Sequence, residues 1–189
     1  LHFSKEQIIK KLEENLDKLP EIVDTIVKTQ EEKVKQIAKK YQDCKVFFFL
    51  GRGISTATAF EGRLKLMEIA YIPSIAFPAG ESKHGPISLI EPGFPVVFIC
   101  PRDDSHRTMI GNIMEMKARG AAVISVIEEG DEEIKDLSDD FVEVPKGIPS
   151  VLSPIPFAVP LQLFAYYVAL GREYNPDMPR NLAKSVTVK

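Results

Sequence analysis

Val46-Phe47-Phe48-Phe49-Leu50, followed at once by Gly51-Arg52-Gly53-Ile54-Ser55-Thr56, decides the fold of this chain. An apolar run without polar alternation fits a strand covered on both faces, and the glycine-bounded turn closes it. Working outward, similar runs recur over 72–77, 95–100, 121–127 and 141–144. Helical spacing lies between several of them, over 56–70 and 105–119, with Ser105 placed to cap the second helix and Gly120 to stop it. This alternation predicts an α/β fold: a three-layer, doubly wound parallel sheet of about five strands flanked by helices. A last helix over 155–170 is nearly all apolar and is expected to be buried.

Two helices precede the first strand. Ser4 and Gln7 match a capping box for a helix running to about residue 19, and Pro20 suits the first turn of the next. In that second helix Ile22, Val23, Ile26, Val27, Val34, Ile37, Ala38 and Tyr41 largely keep one face apolar, so residues 1–42 read as a lead-in to a domain over 43–171.

The 189 residues suffice for one cored domain and are too few for two large ones. With 44% hydrophobic and 27% charged residues the chain has an ordinary globular composition. A net charge of -3, with both signs mixed throughout, gives no electrostatic footprint for nucleic acid or an anionic membrane. Cys44 and Cys100 lack C-x-x-C spacing and sit in or beside apolar runs, which suits buried thiols in a reducing compartment. No signal peptide is visible and no apolar run nears the ~20 residues that span a bilayer, so a cytoplasmic location is expected. The start at Leu1 is compatible with a piece of a longer polypeptide.

Loops after strands hold ligands in doubly wound sheets. The first, Gly51 to Thr56, offers glycines, hydroxyls and a helix N-terminus to an anion, yet it is neither a Walker A loop nor a complete dinucleotide fingerprint. In the third, Asp103 and Asp104 put negative charge at a helix start, which suits a cap and repels phosphate. Along the helix over 56–70, Glu61, Lys65 and Glu68 share one stripe, with Phe60, Leu64, Met67 and Tyr71 expected to supply the core from the opposite one. The charged stripe is either a surface ladder contributing about 0.3 to 0.5 kcal/mol per pair or a site in which Glu68 moves a proton between carbons. His84, between Lys83 and Gly85-Pro86, is either a solvent-facing residue or a proton shuttle. His2 and His106 have no ligand-spaced companions, so no metal site is expected, and no cofactor is expected either.

From Pro179 the chain ends Arg180-Asn181-Leu182-Ala183-Lys184-Ser185-Val186-Thr187-Val188-Lys189, without helical or strand periodicity. It is too apolar for a solvated tail and is expected to dock in a groove, either as a packing arm or as the carrier of Lys184.

Taken together, residues 61–71, Gly80-Glu81-Ser82-Lys83-His84-Gly85-Pro86, Val159-Pro160-Leu161-Gln162-Leu163 and the tail resemble the second sugar isomerase (SIS) domain of the glucosamine-6-phosphate synthase family. The likeness runs from about residue 20 to the end. It implies an SIS-type fold and a part in aminating and isomerising fructose 6-phosphate to glucosamine 6-phosphate. It also implies that Glu68 is the proton-transferring base, Lys184 the tail lysine that meets the sugar carbonyl, and His84 the ring-opening histidine, entering the site of a neighbouring subunit. Lys65 and the backbone near Ala183 would border the sugar, and residues 172–189 become a catalytic tail.

The family also has a glutaminase domain and a first SIS domain with a Ser/Thr-rich phosphate loop, neither of which is in this sequence. The chain therefore reads as half of an active site, expected to be inactive alone, to form a homodimer, and to work with those domains in cis or as a separate subunit. A catalytically silent sugar-phosphate-binding domain and a purely dimerising one are the alternatives. Joint retention of Glu68, His84 and Lys184 favours the enzyme.

Overall fold

The computed structural model describes residues 5–182. Two helices, α1 (Lys5–Leu16) and α2 (Leu19–Tyr41), lead into β1 (Phe47–Gly51), α3 (Ser55–Ala70), β2 (Ser74–Pro78), β3 (Pro95–Cys100), α4 (His106–Lys117), β4 (Ala122–Glu128), α5 (Glu132–Leu137), β5 (Asp140–Val144) and α6 (Pro154–Gly171). The five strands form one sheet in the order β2-β1-β3-β4-β5, and every pairing is parallel.

The phenylalanine run shows why the sheet must be covered twice. Phe47 and Phe49 face the layer of α2, α3 and α6, whereas Phe48 and Leu50 face that of α4 and α5. All four are fully buried, at about 1.5–3 kcal/mol of hydrophobic stabilisation for each large side chain. α2 is integral to the first layer, since Ile26, Val34, Ile37, Ala38 and Tyr41 join the core with Phe164 and Val168 of α6.

Several expectations need correcting. α1 ends at Leu16, short of residue 19, and Ser4 of the expected capping box lies outside the described residues. Ser105 makes no side-chain cap: Asp103 Oδ1 instead accepts from the Ser105 backbone N–H at 2.8 Å and its hydroxyl at 2.6 Å. The 22-residue helical stretch Ser150–Gly171, with mean hydropathy 1.4, is long and apolar enough to cross a membrane, contrary to the reading that no run nears that length. It packs here as a core helix on α2 and α3. The short α5 has too few turns for periodicity to reveal it; the buried Asp131 caps it by accepting from Ile134 N–H.

The largest correction concerns α3. Phe60, Leu64 and Met67 are not core residues; they are 44%, 37% and 38% exposed. Its buried face is made of Ser55, Thr58, Ala59, Gly62, Leu66 and Ala70. Small residues let the helix approach closely: a Cβ on Gly62 would lie 2.7 Å from Leu161 Cδ1 and 3.1 Å from the Phe49 ring. The large side chains are left on the outside because the helix sits too close to admit them.

Candidate active site

α3 runs back antiparallel to β1, so its later turns approach the amino-terminal edge of the sheet. Lys65 and Glu68 stand in those turns, side by side at i and i+3. Lys65 Nζ donates to Glu68 Oε2 at 2.6 Å and lies 3.9 Å from Glu61 Oε1, which also accepts from Gln162 Nε2 at 3.3 Å. All three charged side chains are about one-third exposed, at 31%, 29% and 34% for Lys65, Glu68 and Glu61. The hydrogen bond to Glu68 holds the Lys65 ammonium above the ordinary lysine pKa; partial burial opposes this and Glu61 reinforces it. Lys65 is therefore a fixed cation at neutral pH, suited to charge stabilisation and unsuited to nucleophilic attack.

His84 ends the 3₁₀ turn Ala79–His84, past the carboxyl end of β2. The turn is pinned by the fully buried Ser82 and by Lys83, whose Nζ lies 2.7 Å from Glu115 of α4. His84 itself is exposed. Glu68 precedes β2 and His84 follows it, with the strand's five residues, about 16 Å of rise, between them. Topology thus places the two at opposite ends of one edge strand. Ala183 and Lys184 lie outside the described residues.

The carboxyl edge, where doubly wound folds often bind phosphate, is occupied by the protein's own bonds. The leading amides of α3, on Ser55, Thr56 and Ala57, donate to the carbonyls of Arg52, Gly53 and Ile54, and so do not converge on an anion. After β3, the Arg102 N–H donates to buried Glu128 at 2.9 Å, and His106 Nε2 pairs with buried Asp131 at 2.6 Å. The third loop is structural, as its two aspartates suggested.

Sequence reasoning missed the environment of Tyr71. This residue caps α3 in the left-handed region, with φ 56°, and its ring meets Tyr174 and Arg180. No spacing rule connects positions so far apart in the sequence.

Residues 40–172 match the SIS domain family. The chain is 47% identical over 181 residues to the isomerizing glutamine-fructose-6-phosphate aminotransferase of Pyrococcus horikoshii, covering 96% of this chain and 30% of that protein. Its counterpart in Thermococcus kodakarensis is 48% identical over 184 residues, with 97% and 30% covered. Among solved structures, the C-terminal domain of glucosamine-fructose-6-phosphate aminotransferase from Francisella tularensis superposes with a TM-score of 0.83 at 34% identity, covering 92% of this chain and 48% of that one. The chain thus spans about 30% of the length of the curated relatives it matches. With the parallel five-stranded sheet and that match across most of its length, this chain belongs to the SIS domain family.

Proposed function

We propose that the chain is the second SIS domain of a glucosamine-6-phosphate synthase, acting on fructose 6-phosphate and ammonia to give glucosamine 6-phosphate. The observation that carries this reading is the Lys65–Glu68 pair at 2.6 Å, a carboxylate about one-third exposed and fixed beside a lysine whose pKa it raises. In the proposed reaction the ketose ring opens with His84 shuttling the proton. Lys184 forms a Schiff base at C2, releasing water, and ammonia then displaces the lysine. Glu68 takes a proton from C1 and returns it at C2, leaving the aldehyde at C1 and the amine at C2. Lys65 and the backbone near Ala183 border the sugar. The scheme calls for no metal or cofactor.

The separation of Glu68 and His84 along β2 supports a site shared between subunits of a homodimer. Phe60, Leu64 and Met67 give this chain an apolar stripe suited to being covered. The phosphate grip is assigned to a first SIS domain, and ammonia supply to a glutaminase domain, in cis or as a separate subunit. A cytoplasmic location follows from this metabolic role. The bonded amides and acidic groups of the carboxyl edge weigh against the alternative of a silent sensor gripping phosphate at Gly51 to Thr56. Calorimetric titration with fructose 6-phosphate tests the proposal. The chain alone is expected to show no turnover, and the chain supplied with a first SIS domain is expected to bind and convert the sugar. Robust turnover by the chain alone would place the phosphate site wrongly.

A further inference from the structure

Where the C-terminal segment leaves the fold, three side chains far apart in sequence close on one another. The Tyr71 and Tyr174 rings meet edge to face, with centroids 4.8 Å apart and planes at 66°. The Arg180 guanidinium lies 4.6 Å from the first centroid and 5.0 Å from the second. The Arg180 backbone N–H donates to the Tyr71 hydroxyl at 2.8 Å. Tyr174 is in turn fixed by its N–H to the Ala169 carbonyl at 2.9 Å and by Arg172, 5.6 Å over its ring, whose Nη1 reaches the Gln42 carbonyl at 2.8 Å.

Backbone conformation singles out the same place. Among the described residues, the non-glycine positions with positive φ are Tyr71 at 56°, Glu173 at 60° and Asn181 at 59°. Each belongs to this cluster or adjoins a member of it. Left-handed backbone at non-glycine residues is uncommon and persists where surrounding contacts over-determine it. None of the three is replaced by glycine, and the cluster supplies the compensating contacts.

We propose that Tyr71, Tyr174 and Arg180 form a latch that fixes the point from which the C-terminal tail departs, beside the Glu68 end of α3, and so position Lys184. The inference rests on the role given to Lys184 above. Tyr71 stands three residues beyond Glu68, about 4.5 Å of helical rise. Lys184 follows Arg180 by four residues, a stretch that can span at most about 14 Å. Holding Arg180 on Tyr71 therefore limits how far from the carboxylate the chain can carry the lysine. Without that hold the last fixed point becomes Tyr174, ten residues before the lysine and a reach of up to about 35 Å, and the effective concentration of the amine falls. The three are positioning residues: the proposal gives them no contact with substrate.

The test uses the full chain and its Arg180→Ala, Tyr71→Leu and Tyr71→Phe variants, with amide hydrogen exchange at residues 180–182, carboxypeptidase trimming of the tail, and thermal melting to confirm folding. Arg180 is exposed, so its variant retains the fold even if Tyr71→Leu does not. Arg180→Ala is expected to speed exchange about tenfold and trimming about fivefold with little change in melting temperature. Tyr71→Phe keeps the ring and loses only the acceptor, so it should speed exchange at the Arg180 amide alone. Arg180→Lys should restore part of the protection. Supplied with a first SIS domain, Arg180→Ala should lose about tenfold in kcat with KM for fructose 6-phosphate within about twofold. Equal trimming of wild type and Arg180→Ala overturns the latch, and a freed tail with full kcat overturns its positioning role. A fully active Lys184→Arg enzyme instead overturns the role of the lysine and leaves the exchange result standing.

Discussion

At the scale of single residues, the two lysines assigned to the site should behave differently. The hydrogen bond to Glu68 raises the pKa of Lys65, so the role proposed for it is one of charge, whereas Lys184 is asked to act as an amine. With a first SIS domain present, Lys184→Arg should abolish turnover without lowering the melting temperature, because a guanidinium keeps the charge and cannot form a Schiff base. Lys65→Met should lower kcat/KM as well, yet change stability by only about 0.5 kcal/mol, since a pair this exposed contributes little. Leu182, the side chain that would carry the packing if the tail were only an arm, is 54% exposed. Its replacement by alanine should therefore be nearly silent in a melting experiment, and Arg180 is the residue proposed as the anchor.

Within elements, α3 is the one whose packing decides most. Its close approach to α6 and β1 depends on Gly62, where an added Cβ meets Leu161 at 2.7 Å. Alanine favours an exposed helix over glycine by about 1 kcal/mol, while overpacking a filled core costs about 1–3 kcal/mol. We expect Gly62→Ala to be destabilising on balance, read as a lower urea midpoint. It should also disturb the site, because any shift of α3 carries Lys65 and Glu68 with it. Phe60→Ala, on the exposed stripe of the same helix, should leave the urea midpoint of the chain almost unchanged. The contrast separates the helix face that builds the fold from the face left exposed.

For the molecule as a whole, alkaline stability and assembly are the measurable properties. The Tyr41 hydroxyl, on α2, donates at 2.7 Å to Asp140 of β5. Burial first, and that carboxylate second, hold its pKa well above the usual tyrosine value. The fold thus retains a proton that the unfolded chain releases above about pH 10. Stability from this group is complete below that pH and declines above it, by at most about 1.4 kcal/mol per pH unit. Tyr41→Phe should flatten the fall in urea midpoint between pH 9 and pH 11 while costing about 1 kcal/mol at neutral pH through the lost hydrogen bond. Assembly has its own test, with a first SIS domain present. If each site combines Glu68 of one subunit with His84 of another, mixing inactive Glu68→Gln and His84→Ala chains should restore about a quarter of wild-type turnover through mixed dimers. No recovery after subunit exchange would mean that the two residues do not meet across an interface.

The amino-acid sequence by itself determined the sheet and the stripe. Five runs, from Phe47 to Val144, could be read as strands: β1, β3 and β4 are almost wholly buried and read as near-continuous apolar runs, while the edge strands β2 and β5 are partly exposed. Glu61, Lys65 and Glu68 could be placed together because helical periodicity is local and survives any packing. Local patterns also identified Pro20 as an early helix residue and Asp103-Asp104 as a structural loop, though not which residue capped α4. Only the tertiary structure decided which face of α3 is buried, since that depends on how closely α6 approaches, and small residues at Ala59, Gly62 and Ala70 carry no strong hydrophobic signal. It alone decided that Tyr71, Tyr174 and Arg180 converge. Such placements arise from the path of the chain around the sheet, and sequence separation does not encode spatial distance.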